Sequence, residues 1–222
     1  MVGLDRNPAI EKLYLRPDYL GLICDVTDSR ALEAAIERAV VTFGGLDMVI
    51  LNAGVFPAGQ PIAEIDIGDW NRVLEVNLTS NLLLMRLVHP LLKLAPNGGR
   101  VVVIGSKNVH APGFGASAYS ASKAALNQIM RIAAMEWGGH RIRINSVHPD
   151  AVFDTGIWTP EVIQARAKAY GMTVEQYKSR NLMKVEIKSS DVAELAAEMC
   201  GPLFAKTTAA QVPIDGGDAR VI

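Results

Sequence analysis

Short apolar runs rich in β-branched residues alternate along this chain with longer segments of helical period. Such a chain can cover both faces of its strands only by wrapping helices around a parallel sheet. The runs are Leu20 to Cys24, Asp47 to Leu51, Arg100 to Ile104, Arg141 to Val147 and Ala210 to Ile214. Between them, Asp28 to Thr42, Ile67 to Leu94, Ala118 to Trp137 and Ser190 to Cys200 repeat apolar residues at three- and four-residue steps, as helices lying on a sheet require. Asp28 or Ser29 is placed to cap the first helix and Ser190 with Asp191 the last, while Gly44-Gly45 closes a helix and Gly98-Gly99 marks a turn. The expectation is one doubly wound α/β domain over residues 1–222 with a mostly parallel sheet.

With 222 residues and half of them hydrophobic, the chain can bury one sizeable core and is short for two. The formal net charge is -1 and its Lys and Arg residues are scattered, which argues against nucleic acid or an anionic membrane as partner and for a small-molecule substrate. Apolar runs are too short or too interrupted for a bilayer, where about 20 apolar residues in succession are needed. Cys24 and Cys200 read as reduced, buried thiols, which points to the cytoplasm. His89, His110, His140 and His148 lack paired metal-ligand spacing, so no metal is expected.

Residues 149–189 interrupt the alternation with two short helical patterns and the aromatics Phe153, Trp158, Tyr170 and Tyr177. An insertion after the carboxyl end of a strand is where an open α/β sheet carries a substrate lid.

Tyr119 and Lys123 lie four apart in a helical segment, so they stack on one face about one turn apart. A phenol is a poor acid-base near neutrality, and a neighbouring ammonium favours its phenolate. Ser106, at the end of the Arg100 to Ile104 strand, can polarise a carbonyl oxygen at the same sheet edge. Asn108, His110, Phe114 and Trp158 are further candidates for substrate contact, although loop polarity and core packing explain them as well.

A Tyr-x-x-x-Lys pair alone is weak. This one is accompanied by Asn52-Ala53-Gly54 after a strand, Asn77 in the next helix, Ser106 upstream of Tyr119, His148-Pro149 after a later strand and Asp215-Gly216-Gly217 after the last. In that order and spacing the set resembles the short-chain dehydrogenase/reductase family from Asp5 onward. The resemblance implies a Rossmann-type fold and an NAD-dependent oxidoreductase acting on a small alcohol, aldehyde or sugar-derived carbonyl compound. It implies that Tyr119 is the acid/base, and that Lys123 lowers its pKa and holds the nicotinamide ribose. Ser106 would orient the substrate oxygen, and Asn77 would hold a water linking Lys123 to solvent. Asp25 and Val26 would line the adenine pocket, with Asn52, Ala53 and Gly54 under the adenosine ribose and pyrophosphate and Pro149 beside the nicotinamide. Asp5, an acid at the end of a strand, favours NAD over NADP because a 2'-phosphate would meet a carboxylate. The resemblance also implies a homodimer or homotetramer paired through the Ile67 to Leu94 and Ala118 to Trp137 helices.

Three features depart from the family pattern. Asp150 stands where the family usually has glycine, and Thr155 is displaced by one position from the usual threonine. The glycine-rich turn and its flanking strand and helix, which need about 30 residues, are missing before Asp5, so the fold reads as N-terminally truncated. A competing reading follows, in which the chain is a catalytically incompetent fragment or assembly module. More narrowly, His89-Pro-Leu-Leu-Lys-Leu-Ala-Pro, Gly105-Ser-Lys-Asn, the run from His148 to Trp158, and Met199-Cys-Gly-Pro-Leu-Phe-Ala-Lys-Thr-Thr are similar to the dehydrogenase domain of bifunctional rhamnulose-1-phosphate aldolase/alcohol dehydrogenases. That similarity implies lactaldehyde as substrate and a fused aldolase domain upstream.

Overall fold

The structure, a computed structural model, describes residues 1–218. Its strands are β1 (Val2–Asp5), β2 (Leu20–Ile23), β3 (Met48–Leu51), β4 (Gly99–Ile104), β5 (Ile142–Pro149) and β6 (Gln211–Ile214). All their ladders are parallel, with the order β3-β4-β5-β6 in one sheet and β1-β2 in another. Among the described residues no ladder joins the two sheets, so β1 and β3 each keep an edge without a strand partner. On β3 that leaves Met48 and Ile50 about half exposed. The link between the sheets is made by helices: Cys24 and Leu32 share a cluster with Leu4, Leu22, Leu83 and Leu87.

β4 shows why its sequence is a run of valines. Val101 and Val103 face a cluster containing Met85, Val88, Leu126 and Met130, whereas Val102 faces Ala196 and Met199. All three are at most 1% exposed, so neither face offers a position for a polar side chain. Burial of this kind contributes about 2 kcal/mol per valine.

The helices are α1 (Ser29–Phe43), α2 (Ile67–Leu74), α3 (Ser80–Leu92), α4 (Ser117–Trp137), α5 (Pro160–Ala169), α6 (Val174–Lys178) and α7 (Ser189–Cys200). Asp28 caps α1 through the backbone N–H groups of Arg30 and Ala31, and Gly44 ends it at φ 81°, a left-handed conformation that glycine adopts without a Cβ clash. Elsewhere the sequence expectation needs correction. The Ile67 to Leu94 segment is not one uniform helix: residues Glu75–Thr79 form a π-helical turn between α2 and α3. That turn carries Asn77, which is fully buried and bonded to a loop and to α4, so a tertiary demand overrides the local period. α7 starts one residue earlier than expected. Its cap is Lys188, whose N–H donates to Asp191 at 2.8 Å, and Asp154, not Ser190, takes the N–H of Ser189 at 2.9 Å.

Residues 150–189 pack around a small core of their own, in which Phe153, Ile163, Ala167 and Tyr177 meet Trp158 and Val174. No helix among the described residues is long and apolar enough to cross a membrane.

Candidate active site

Because the strands within each sheet run parallel, the carboxyl ends of β3, β4 and β5 deliver Asn52, Ser106 and Pro149 to one edge, while those of β1 and β2 carry Asp5 and Asp25. A cavity of about 620 Å³ opens there beneath the 150–189 segment. Asn52, Gly54, Ser106, Tyr119, Lys123 and Pro149 line it, and so do Asn108, Thr155 and Trp158. Asp5, Asp25, Val26 and Ala53 are not among the lining residues. Asp5 accepts from the N–H of Asn7 at 2.8 Å, and Asp25 accepts from the N–H and hydroxyl of Thr27, which hold its carboxyl below the usual carboxylate range. Val26 packs under β1 and β2. Two other sequence candidates fall outside the lining set: Phe114 is 88% exposed, and the ring of His110 rests 5.2 Å from that of His148.

Tyr119 and Lys123 rise from one face of α4, with Lys123 Nζ 5.9 Å from the phenol ring centroid. The ammonium is fully enclosed and donates to the carbonyl of Ile104 at 2.8 Å; burial pulls its pKa down from 10.5 to about 8. Burial drives the Tyr119 phenol in the opposite direction, up, and the Ser106 hydroxyl opposes that rise. Nζ is turned toward the main chain of β4, and the lowering partner is Ser106. Edge-on to the phenol lies Phe56, at 4.6 Å between centroids.

Asn77 sits behind the pair. Its Nδ2 donates to the Val55 carbonyl at 3.0 Å and to Ser122 Oγ at 3.1 Å, and its Oδ1 accepts from the Val55 N–H at 2.7 Å. A Cβ added to Gly54 would lie 3.3 Å from Asn77 Oδ1 and 3.6 Å from Lys123 Nζ, so the loop after β3 passes the ammonium at glycine distance. The donors and the close backbone fit the ribose and carboxamide end of a nicotinamide cofactor. No described strand is followed by a glycine-rich turn opening a helix, so the fit is to that end alone.

Sequence reasoning did not single out Lys107, Asp150 as a charged group, Arg166, Arg180 or Asp218. The first four line the cavity. Lys107 reaches Asp150 at 3.1 Å and Asp218, and Arg180 reaches Asp150 at 2.5 Å and Asp218 at 3.3 Å. Their spacing in the chain gives no periodic signal, because four separate segments meet only in the fold.

Comparison with known proteins places this geometry. A family model described as enoyl-(acyl carrier protein) reductase matches residues 6–218. The uncharacterized oxidoreductase YuxG of Bacillus subtilis is 37% identical over 198 residues, 87% of this chain and 29% of that protein, so the chain spans under a third of that relative. An uncharacterized NAD-dependent oxidoreductase of Mycobacterium tuberculosis is 33% identical over 195 residues, 87% of this chain and 70% of its own length. Sorbitol-6-phosphate 2-dehydrogenase SrlD of Erwinia amylovora shares the fold with a TM-score of 0.89 at 23% identity, covering 100% of this chain and 90% of that one. The chain belongs to the short-chain dehydrogenase/reductase family of nicotinamide-dependent oxidoreductases.

Proposed function

We propose that the site carries out reversible hydride transfer between NAD and a small alcohol or carbonyl compound, with Tyr119 exchanging the hydroxyl proton. The observation that carries this reading is the convergence of Ser106, Tyr119 and Lys123 on one cavity, with Asn77 held behind them. When bound, the nicotinamide ring accepts or supplies the hydride. Ser106 holds the substrate oxygen against the Tyr119 phenol, which gives or takes its proton. Lys123 would hold the ribose hydroxyls beside Gly54, and Asn77 fixes the loop that passes the ammonium. Pro149 would border the ring and Asn52, Ala53 and Gly54 would underlie the cofactor, with Asp25 and Val26, outside the cavity lining, as the residues that would border the adenine.

The preference for NAD over NADP rests on Asp5, exposed at the end of β1 where a 2'-phosphate would be repelled, and is supported by the NAD-dependent relative. Residues 149–189 act as the lid. Buried, free Cys24 and Cys200 support a reducing, cytoplasmic setting. Exposed Leu82 on α3, with Ile132 and Met135 on α4, supports pairing of these helices between copies in a homodimer or homotetramer. The short coverage of the Bacillus subtilis relative is compatible with a larger polypeptide carrying a fused aldolase domain.

Replacing Tyr119 by Phe tests the reading. Turnover is expected to fall about 100- to 10,000-fold, with lactaldehyde as the neutral reference substrate; near-normal turnover would refute the acid/base role. A second reading, a non-catalytic assembly module, is favoured by one observation: no described ladder joins β1 and β2 to the other four strands. Titration with NAD separates the two, since micromolar binding supports the enzyme.

A further inference from the structure

Four cations line the cavity: Lys107, Lys123, Arg166 and Arg180. Lys107 and Arg180 are matched by Asp150 and Asp218, and Lys123 is bonded to the Ile104 carbonyl. Arg166, half-buried on α5, makes no ion pair, and its guanidinium donates no hydrogen bond, among the described residues. Its guanidinium carbon lies 5.8 Å from the centroid of the Phe56 ring, and the same ring packs against Tyr119. A guanidinium held against a ring keeps its N–H donors free at its edge, in a fork that suits a carboxylate or phosphate. One phenyl ring separates that fork from the phenol, and Ile157 and Trp158 contribute apolar wall to the same cavity.

We infer that the cavity selects alcohols and carbonyl compounds bearing an anionic group, a carboxylate or a phosphate monoester, across an apolar spacer, and that Arg166 holds that group. This rests on the hydride-transfer reading of the same site. The reacting oxygen lies at Ser106 and Tyr119, and the anion reaches past Phe56 to α5. An unmatched guanidinium beside the apolar wall of the cavity gains most from a ligand that brings the missing charge, because charge-assisted bonds strengthen where water is displaced.

The test compares kcat/KM within matched pairs. 4-Hydroxypentanoate against 2-pentanol probes carboxylate, and glycerol phosphate against glycerol probes phosphate; lactaldehyde provides a further neutral reference. At least one charged member is expected to be preferred about ten- to a hundredfold, and the pair that shows it identifies the anion. Arg166→Gln should reduce that preference to below about threefold, with Arg166→Lys keeping part of it. Equal use of charged and neutral members, or a preference that survives in Arg166→Gln, would overturn the inference. Binding is read separately by tryptophan fluorescence with 4-oxopentanoate and glycerol phosphate in a Tyr119→Phe background. There, binding should persist and should weaken about tenfold on adding Arg166→Gln; identical binding in the two variants overturns the inference. Arg166-dependent binding without turnover of any compound would remove the hydride-transfer reading and leave the anion site. Turnover without charge preference would do the reverse.

Discussion

His148 reaches from β5 to the loop that presents Ser106: its Nδ1 lies 3.0 Å from the Ser106 carbonyl and its Nε2 2.8 Å from Ser146 Oγ. A carbonyl can only accept, so the neutral ring donates from Nδ1–H and accepts a hydrogen bond from the Ser146 hydroxyl at Nε2. Ser106, Ser146 and His148 are all buried, which makes each unmade bond costly. His148→Ala is therefore expected to lower unfolding free energy by about 2 kcal/mol in urea titration. It should also lower kcat more than it raises KM, because Ser106 loses its support. His148→Gln should recover part of both losses, and a stable, fully active His148→Ala would disprove the link.

The same ring makes stability depend on pH. Burial, first among several causes, pushes its pKa below 6.5 in the folded chain. As pH falls below 6.5 the unfolded chain takes up the proton first, so this stabilising contribution is present above that value and is lost toward the lower folded pKa. Urea melts at pH 8, 6.5 and 5.5 should show wild type losing more stability across this range than His148→Gln. Parallel losses in the two proteins would assign the pH dependence to other groups.

Lys123 makes the reverse argument, in which function costs stability. Its folded pKa near 8 lies below 10.5, so below about pH 8 the fold carries a buried ammonium that one carbonyl bond only partly offsets. Lys123→Met should raise stability at pH 7 by about 1–3 kcal/mol while abolishing turnover. The gain should shrink as pH rises from about 8 toward 10.5, where the unfolded lysine also loses its proton. Denaturation of both proteins at pH 7 and pH 10 checks the sign; a destabilised Lys123→Met at pH 7 would show that the carbonyl bond outweighs the burial.

How much of this was legible in the chain follows from which interactions are local. The valines of β4 and the periodic faces of α1 and α4 report their surroundings in their own spacing, so strands and helices fell within a few residues of their observed bounds. Tyr119 and Lys123 were legible because both sit on one helix. The π turn at Asn77 was not, since its cause is a pair of bonds to Val55 in a loop 22 residues away and one to Ser122 on α4. Arg166 was missed because a lone arginine on a short amphipathic helix looks like any solvated residue until the Phe56 loop is folded against it. Lys107 and Asp218, 111 residues apart, belong to the same class of signal.

Asp150 stands where the family pattern has glycine, and its carboxylate joins Lys107 at 3.1 Å to Arg180 at 2.5 Å. With Asp218 on the same two cations, the cluster ties the ends of β4, β5 and β6 to the segment after α6. Burial pushes the Asp150 carboxyl up, while Arg180 and Lys107 pull it back toward its charged form. All four side chains are less than a fifth exposed, so solvent screens them weakly. Asp150→Asn leaves two enclosed cations on the single carboxylate of Asp218 and should cost about 2–4 kcal/mol. Coupling between Asp150→Asn and Arg180→Gln in a double-mutant cycle should reach about 1–3 kcal/mol. The guanidinium of Arg180 also rests 4.7 Å from the ring centroid of Tyr177, a cavity wall, so its release frees the 149–189 segment. Trypsin should then cut Asp150→Asn faster than wild type at Lys178, Arg180 or Lys184, and KM should rise more than kcat falls. Unchanged proteolysis together with additive substitutions would reduce the cluster to four charges that happen to be neighbours.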